Sequence, residues 1–180
     1  MRAAQGRVQE KQRSPSTLRC WRKQSAHRSS MAVACGLNYT YVVTEEGQVL
    51  VSGSGARGQL GLGDREDRLR MTSLAGDFTV RVVMVGAGGD HSALLDSDGE
   101  LWMSGRGLDG QLGTGGRQDM LTPTRVPKWR LGRARVKMAA CGGNHTLVLA
   151  EAGRVWAFGG GRDGRLGTCL LYTSPSPRDS

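Results

Sequence analysis

Residues 35–63 of this chain, CGLNYTYVVTEEGQVLVSGSGARGQLGLG, occur twice more in altered form. A shift of 52 residues lays them on AGGDHSALLDSDGELWMSGRGLDGQLGTG at 87–115. A further 54 lays them on CGGNHTLVLAEAGRVWAFGGGRDGRLGT at 141–168, with no gap inside the block. Glycines coincide at Gly36, Gly88 and Gly142, at Gly47, Gly99 and Gly153, and at Gly53, Gly105 and Gly159. They coincide again at Gly58, Gly110 and Gly164, and at Gly61, Gly113 and Gly167. Leu60, Leu112 and Leu166 form a matching leucine column, and Val43/Leu95/Leu149 and Val49/Leu101/Val155 keep their apolar character. A chain that repeats one unit folds by stacking that unit on its neighbours. The period lies near the ~40–50 residues of propeller blades and is too long for a leucine-rich or ankyrin unit.

The unit reads as short strands. TYVVT and QVLVSG are β-branched and alternating, split by the turn EEG. HSALLDSDGELWMSG and HTLVLAEAGRVWAFG repeat that hairpin, with turns at SDG and EAG. FTVRVVMVGAGG and ARVKMAACGG add a strand leading into the next block. No apolar pattern holds a 3.6-residue period over a helix length. Glycine supplies 28 of 180 residues, about twice the usual ~7%, which suits many tight turns. The fold class expected is all-β.

The blocks resemble the regulator of chromosome condensation repeat, with its pattern of A-C-G-x-x-H-[ST] leading to G-Q-L-G-x-G. The second block matches at Gly88, His91, Ser92, Leu95, Gly99, Trp102, Gly105, Gly110, Gln111 and Leu112. The third matches at Ala140, Cys141, Gly142, His145, Thr146, Trp156, Phe158, Gly159, Gly164 and Leu166. Tyr39 stands in the first block where the pattern has His, Leu50 where it has an aromatic, and Arg165 in the third where it has Gln. The resemblance covers 31–168 and implies a seven-bladed β-propeller of four-stranded blades. Seven blades at this period need about 360 residues. The expectation is therefore a partial β-propeller, about three of seven blades. Its repeats fall at 31–63, 84–115 and 137–168, with variable linkers between. Two open sides expose unpaired strand edges, so marginal stability or aggregation is expected of the chain alone.

Outside the repeats, residues 1–30 carry Arg2, Arg7, Lys11, Arg13, Arg19, Arg22, Lys23 and Arg28 against Glu10. Most of the net charge of +9 lies in this stretch. It is expected to be a basic, disordered leader without the apolar core of a secretory signal. Residues 169–180, CLLYTSPSPRDS, match no block and are expected to be a foreign, adaptor-derived tail. No apolar run reaches a ~20-residue membrane span, and a cytoplasmic or nuclear location is expected. The four cysteines, Cys20, Cys35, Cys141 and Cys169, form no disulfide framework.

The stretches Gly53–Gly58, Gly105–Gly110 and Gly159–Gly164 each spell G-x-G-x-x-G, the form of a dinucleotide loop. Such a loop needs a helix N-terminus directly after it. QLG or RLG follows instead, in three tandem copies, so these glycines are read as strand connections and no cofactor is expected. Cys141 and His145 have a zinc-compatible spacing. The equivalent columns hold Cys35/Tyr39 and Ala87/His91, so a core Cys or Ala and a His bonded to backbone are expected instead. Asn38 and Asn144 open glycosylation sequons inside the repeat pattern. Asp96 and Asp98 flank a hairpin turn, where Asp is favoured. Neither a catalytic set nor a metal site is expected.

The segments between blocks vary most, and loops on a rigid scaffold carry binding specificity. Residues 116–137 hold the candidate partner-binding group Arg125, Lys128, Trp129, Arg130, Arg133 and Arg135. Trp129 among cations suits an acidic partner or a base. A protein-interaction scaffold is the leading functional reading, with a protein partner. The resemblance also implies two alternatives, exchange on a Ran-like small GTPase and the recognition propeller of a ubiquitin ligase. Nucleic-acid or chromatin binding through the basic segments is a weaker class.

Overall fold

In a computed structural model, the described residues are 30–74 and 78–167. The basic leader up to residue 29 and the tail 169–180 lie outside them. The chain forms β1 (Ser30–Cys35), β2 (Tyr39–Thr44), β3 (Val49–Gly53) and β4 (Arg68–Ser73). Next come β5 (Val82–Ala87), β6 (His91–Asp96), β7 (Leu101–Gly105) and β8 (Met120–Arg125), then β9 (Val136–Cys141), β10 (His145–Ala150) and β11 (Val155–Gly159). Helical residues among those described are confined to 3-10 turns at Lys128–Leu131 and Arg162–Gly164. The molecule is an all-β partial propeller.

Each block is one blade of consecutive antiparallel strands, in the orders β1-β2-β3-β4, β5-β6-β7-β8 and β9-β10-β11. Tyr39 pairs with Gly53 on β3, His91 with Gly105 on β7 and His145 with Gly159 on β11, so the register repeats with the sequence. The first strands β1, β5 and β9 pack beside one another, while β4 and β8 close the far edge of their blades.

The hairpins and the strands leading into them form where alternation and turn residues place them. The fourth strands form inside the segments read as variable linkers. RLRMTS becomes β4 and MLTPTR becomes β8, and neither alternates cleanly because neither has a fully buried face. Pro123 sits within β8, which an edge strand tolerates because one side of its backbone needs no partner.

The apolar cores lie between blades. Successive side chains on a strand point to opposite faces, so β6 serves two neighbours. Leu94 joins Tyr41, Val43, Val51 and Leu60 of the first blade. Ala93 and Leu95 join Leu112, Val136, Ala139 and Val148 toward the third. Every residue of β6 is buried.

Candidate functional site

Two ends of the stack carry different chemistry. At one end the turns 36–38, 88–90 and 142–144 meet the glycine-rich loops that follow β3, β7 and β11. Here the ring column Tyr39, His91, His145 sits over the glycine three residues earlier. A Cβ on Gly88 would lie 2.5 Å from the His91 ring and 2.5 Å from the carbonyl oxygen of Gly142. Glycine is thus required where a ring and the next blade's backbone both press on one turn.

The rings also link the blades. Tyr39 Oη donates to the His91 carbonyl at 2.5 Å and accepts the Gly88 N–H at 3.0 Å. Burial raises the Tyr39 phenol well above its usual range. His91 Nε2 lies 3.0 Å from Thr146 Oγ1, whose own proton goes to the Gln111 carbonyl at 2.8 Å. Nε2 must therefore carry the hydrogen, and Nδ1 is left buried without a hydrogen-bond partner among the described residues. The His91 ring thus bonds a side-chain hydroxyl of the next blade, besides the backbone of His145. Burial pushes its pKa down to about 4, against a hydrogen bond to the His145 backbone that raises it.

A parallel set joins the first two blades. Tyr41 Oη and Ser92 Oγ both donate to the Gln59 carbonyl, at 2.8 and 3.1 Å, and Ser104 bonds Ser92 at 2.7 Å. Burial pushes the Tyr41 phenol up to about 12, against the Ser92 and Ser104 hydrogen bonds that lower it. Tyr39→Phe removes one of two partners from the His91 carbonyl and the Gly88 N–H, which still bond each other at 2.8 Å. It is expected to cost about 1 kcal/mol, read as a lower denaturant midpoint.

The glycine-rich loops are latches. The loop after β3 lies on the second blade, with Gly58 against Leu121, Gly61 against Pro123 and the Gly63 N–H bonded to the Leu121 carbonyl at 2.9 Å. The loop after β7 does the same on the third blade, with Gly113 against Phe158. Turns follow Gly58 and Gly110, not a helix N-terminus, so no dipole faces a phosphate there. Each of these two latches is pinned by a residue that the sequence reading missed. Asp67 accepts the Gly55 N–H at 2.9 Å and Asp119 accepts the Gly107 N–H at 3.1 Å. Their recurrence at the repeat spacing, inside segments read as variable, was the available signal.

Cys141 is partly buried, and burial pushes its thiol up to about 12, which disfavours the thiolate a metal needs. Cys35 is exposed. Among the described residues no three His, Cys, Asp or Glu side chains converge on a metal position. Asp96 closes its hairpin turn, accepting the N–H groups of Asp98 and Glu100 and the Trp102 indole N–H at 2.8 Å.

The opposite end carries the hairpin turns and the connection between β8 and β9. After Pro127 the chain turns through Lys128–Leu131, Leu131 is buried, and Gly132 in the left-handed region ends the turn. The six candidate partner-binding residues divide here. Lys128 ion-pairs with Glu100, and Arg125 lies 3.9 Å from the same carboxylate. Arg135 reaches Glu151 at 3.6 Å and the Ser97 carbonyl at 3.3 Å. Arg81 reaches the Glu45 carbonyl at 2.8 Å, so the Arg81/Arg135 column clasps the hairpin turn of the blade before it. Trp129 does not pack on its own blade: it is 67% exposed, with the Arg130 guanidinium 4.7 Å over its ring. Arg133 makes no ion pair among the described residues, and Arg154 lies 5.4 Å over the Trp156 ring beside Gly132. This surface is cationic and aromatic and can bind carboxylates with a stacked anchor.

The fold and the site define a repeat propeller whose variable chemistry lies on its solvent-facing connections. The chain belongs to the regulator of chromosome condensation (RCC1) repeat family, whose profiles match residues 46–95 and 98–149, and in a second form 82–111 and 136–165. It is 39% identical over 135 residues to the ultraviolet-B receptor UVR8 of Arabidopsis thaliana, covering 75% of this chain and 30% of the relative. It is 38% identical over 138 residues to the X-linked retinitis pigmentosa GTPase regulator homolog of Caenorhabditis elegans, covering 76% of this chain and 10% of that protein. The crystal structure of human WBSCR16 superposes with a TM-score of 0.67 at 32% identity, over 72% of this chain and 33% of the other. The chain thus spans less than a third of the length of either of these two relatives. No helix among the described residues is long and apolar enough to cross a membrane.

Proposed function

We propose that the chain is a protein-interaction scaffold whose hairpin-turn end docks an acidic segment of a protein partner. The role is recognition, not catalysis. One observation carries the reading: an exposed tryptophan is stacked under a guanidinium, on a turn whose buried Leu131 anchors it to a rigid sheet. Exposed aromatic and Arg side chains on a fixed backbone are the usual centres of binding energy. Arg125, Lys128 and Arg135 surround that centre as charges already held by the chain's own carboxylates. A cytoplasmic or nuclear setting goes with this proposal.

The test uses the full chain as bait. Trp129→Ala and Arg130→Ala are expected to weaken partner capture about tenfold or more, while Arg70→Ala on the edge strand β4 leaves it unchanged. Capture indifferent to both substitutions would remove this surface from the reading.

A relative named as a GTPase regulator supports a second reading, nucleotide exchange on a Ran-like small GTPase. It predicts faster release of labelled GDP from such a GTPase, whereas a scaffold leaves release unchanged. Recognition for a ubiquitin ligase is a special case of the scaffold. Nucleic-acid binding predicts an affinity that falls steeply with salt.

A further inference from the structure

A hydroxyl residue followed by proline occurs at Ser14, Thr122, Ser174 and Ser176, and of these Thr122 alone has a basic residue three positions on, in TPTR. It is also the one that lies among the described residues, on β8. The ladder lifts it out of the sheet. Met103 on β7 pairs with Thr124 and Gly105 pairs with Met120, so Ser104 by itself faces Leu121, Thr122 and Pro123. The extra residues bulge outward. In the first blade Ser52 faces Leu69–Met71 in the same way, and Arg70, which holds the Thr122 position there, is exposed as well.

The second blade has a neighbour on either side, and Thr122 is exposed all the same. The first blade's latch covers the residues next to it instead. Gly58 lies against Leu121 and Gly61 against Pro123, and the Gly63 N–H bonds the Leu121 carbonyl at 2.9 Å. Pro123 leaves an extended backbone with no N–H directly after Thr122. Thr124 differs: it is partly buried, its hydroxyl donates to the Thr122 carbonyl at 3.1 Å, and no proline follows it. Arg125 is exposed and lies 3.9 Å from Glu100, a carboxylate that Lys128 holds more closely, so its guanidinium is free to turn outward.

The geometry points to Thr122 as a phosphorylation site for a proline-directed protein kinase, with ATP as the phosphoryl donor. Such kinases select an extended hydroxyl residue whose successor lacks an N–H, and an acidic subsite takes a cation three residues on. Pro123 and Arg125 meet those two demands on a bulged, solvent-facing strand. In the transfer, Thr122 Oγ1 bonds the γ-phosphorus, the bond from that phosphorus to the β–γ bridging oxygen breaks, and ADP leaves. The hydroxyl proton passes to the kinase's own base. The product carries about −1.5 to −2 charges near pH 7, beside the end of the first blade's latch at Gly63.

The test incubates the full, folded chain with ATP and a purified proline-directed kinase that prefers a basic residue three positions after the acceptor. Fragmentation by mass spectrometry then assigns each phosphate, which separates Thr122 from Ser14, Ser174 and Ser176. A phosphoryl group on Thr122 is expected, and none on Thr124. Arg125→Ala removes one charge-assisted hydrogen bond to the kinase and is expected to slow transfer to Thr122 about tenfold. Pro123→Ala is expected to abolish it. Arg125 is exposed, so that variant keeps the fold even if Pro123→Ala loosens the latch. A synthetic peptide of residues 117–129 serves as the unfolded control. Phosphate on the peptide's Thr122 but not on that of the folded chain would overturn the proposal. So would a folded chain modified only at its Ser-Pro steps, or transfer to Thr122 that Arg125→Ala leaves unchanged.

Discussion

Gly105→Ala is expected to destabilise the protein by about 3 kcal/mol or more, a large part of an ordinary domain's stability. Gly105 ends β7 with φ +100, a conformation side chains rarely adopt, and its column mates Gly53 and Gly159 have φ +107 and +112. A Cβ there would also lie 2.8 Å from the Cα of His91 and against the Asp90 carbonyl. Backbone strain and a collision with the central strand therefore add. Gly110→Ala, in the same loop, separates the two terms: φ is +78 but nothing lies within 4 Å of its Cβ. It is expected to cost only about 1 kcal/mol. Denaturant midpoints of the two variants measure the difference, and equal losses would show that the motif's glycines serve turn geometry alone.

Acidification is expected to remove up to about 3 kcal/mol through His91. Burial holds the folded-state pKa near 4, against 6.5 for an exposed histidine. Between those values the unfolded chain takes up a proton that the folded chain refuses. The stabilisation is complete above pH 6.5 and falls as pH drops toward 4. Below that the folded ring also protonates and the dependence flattens. The cause is structural: Nε2–H already bonds Thr146, so the proton must go to the buried, unpartnered Nδ1, beside His145. His91→Tyr places in the second blade the residue that Tyr39 provides in the first, and removes the titration. Its stability should be flat across this window where the wild type slopes. An equal slope in both proteins would place the pH dependence elsewhere.

Much of this was legible in the sequence, for a physical reason. Turn glycines and alternating strands are local requirements, and a repeat states each of them three times. TYVVT and QVLVSG, with their two later copies, specify β2–β3, β6–β7 and β10–β11 within a residue or so. The glycine columns fall at the latches, at the turn under the ring and, for Gly47, Gly99 and Gly153, at the hairpin turns of the opposite end. What escaped was set by partners distant in sequence. β4 and β8 each pair through one edge and bury no full face, so RLRMTS and MLTPTR carry no strong alternation. Arg135 looked like a binding residue because its charge was visible while the Ser97 carbonyl was not. Arg81 in the same column was the clue to a clasp. Cys35 was expected in a core and is exposed, because its core lies between blades and no described blade precedes the first. Trp129 stood out by residue type, but only the fold shows that Leu131 is buried while Trp129 faces solvent.

The stacking of three blades with their cores between them is tested most directly by amide hydrogen exchange. The arrangement predicts slowest exchange in β6, which has a covered face on either side and paired strands at both edges. It predicts faster exchange in β2 and β10, each with one open face, and fastest in β11, whose outer edge has no strand among the described residues. Equal protection of the three central strands, or β10 slower than β6, would contradict it.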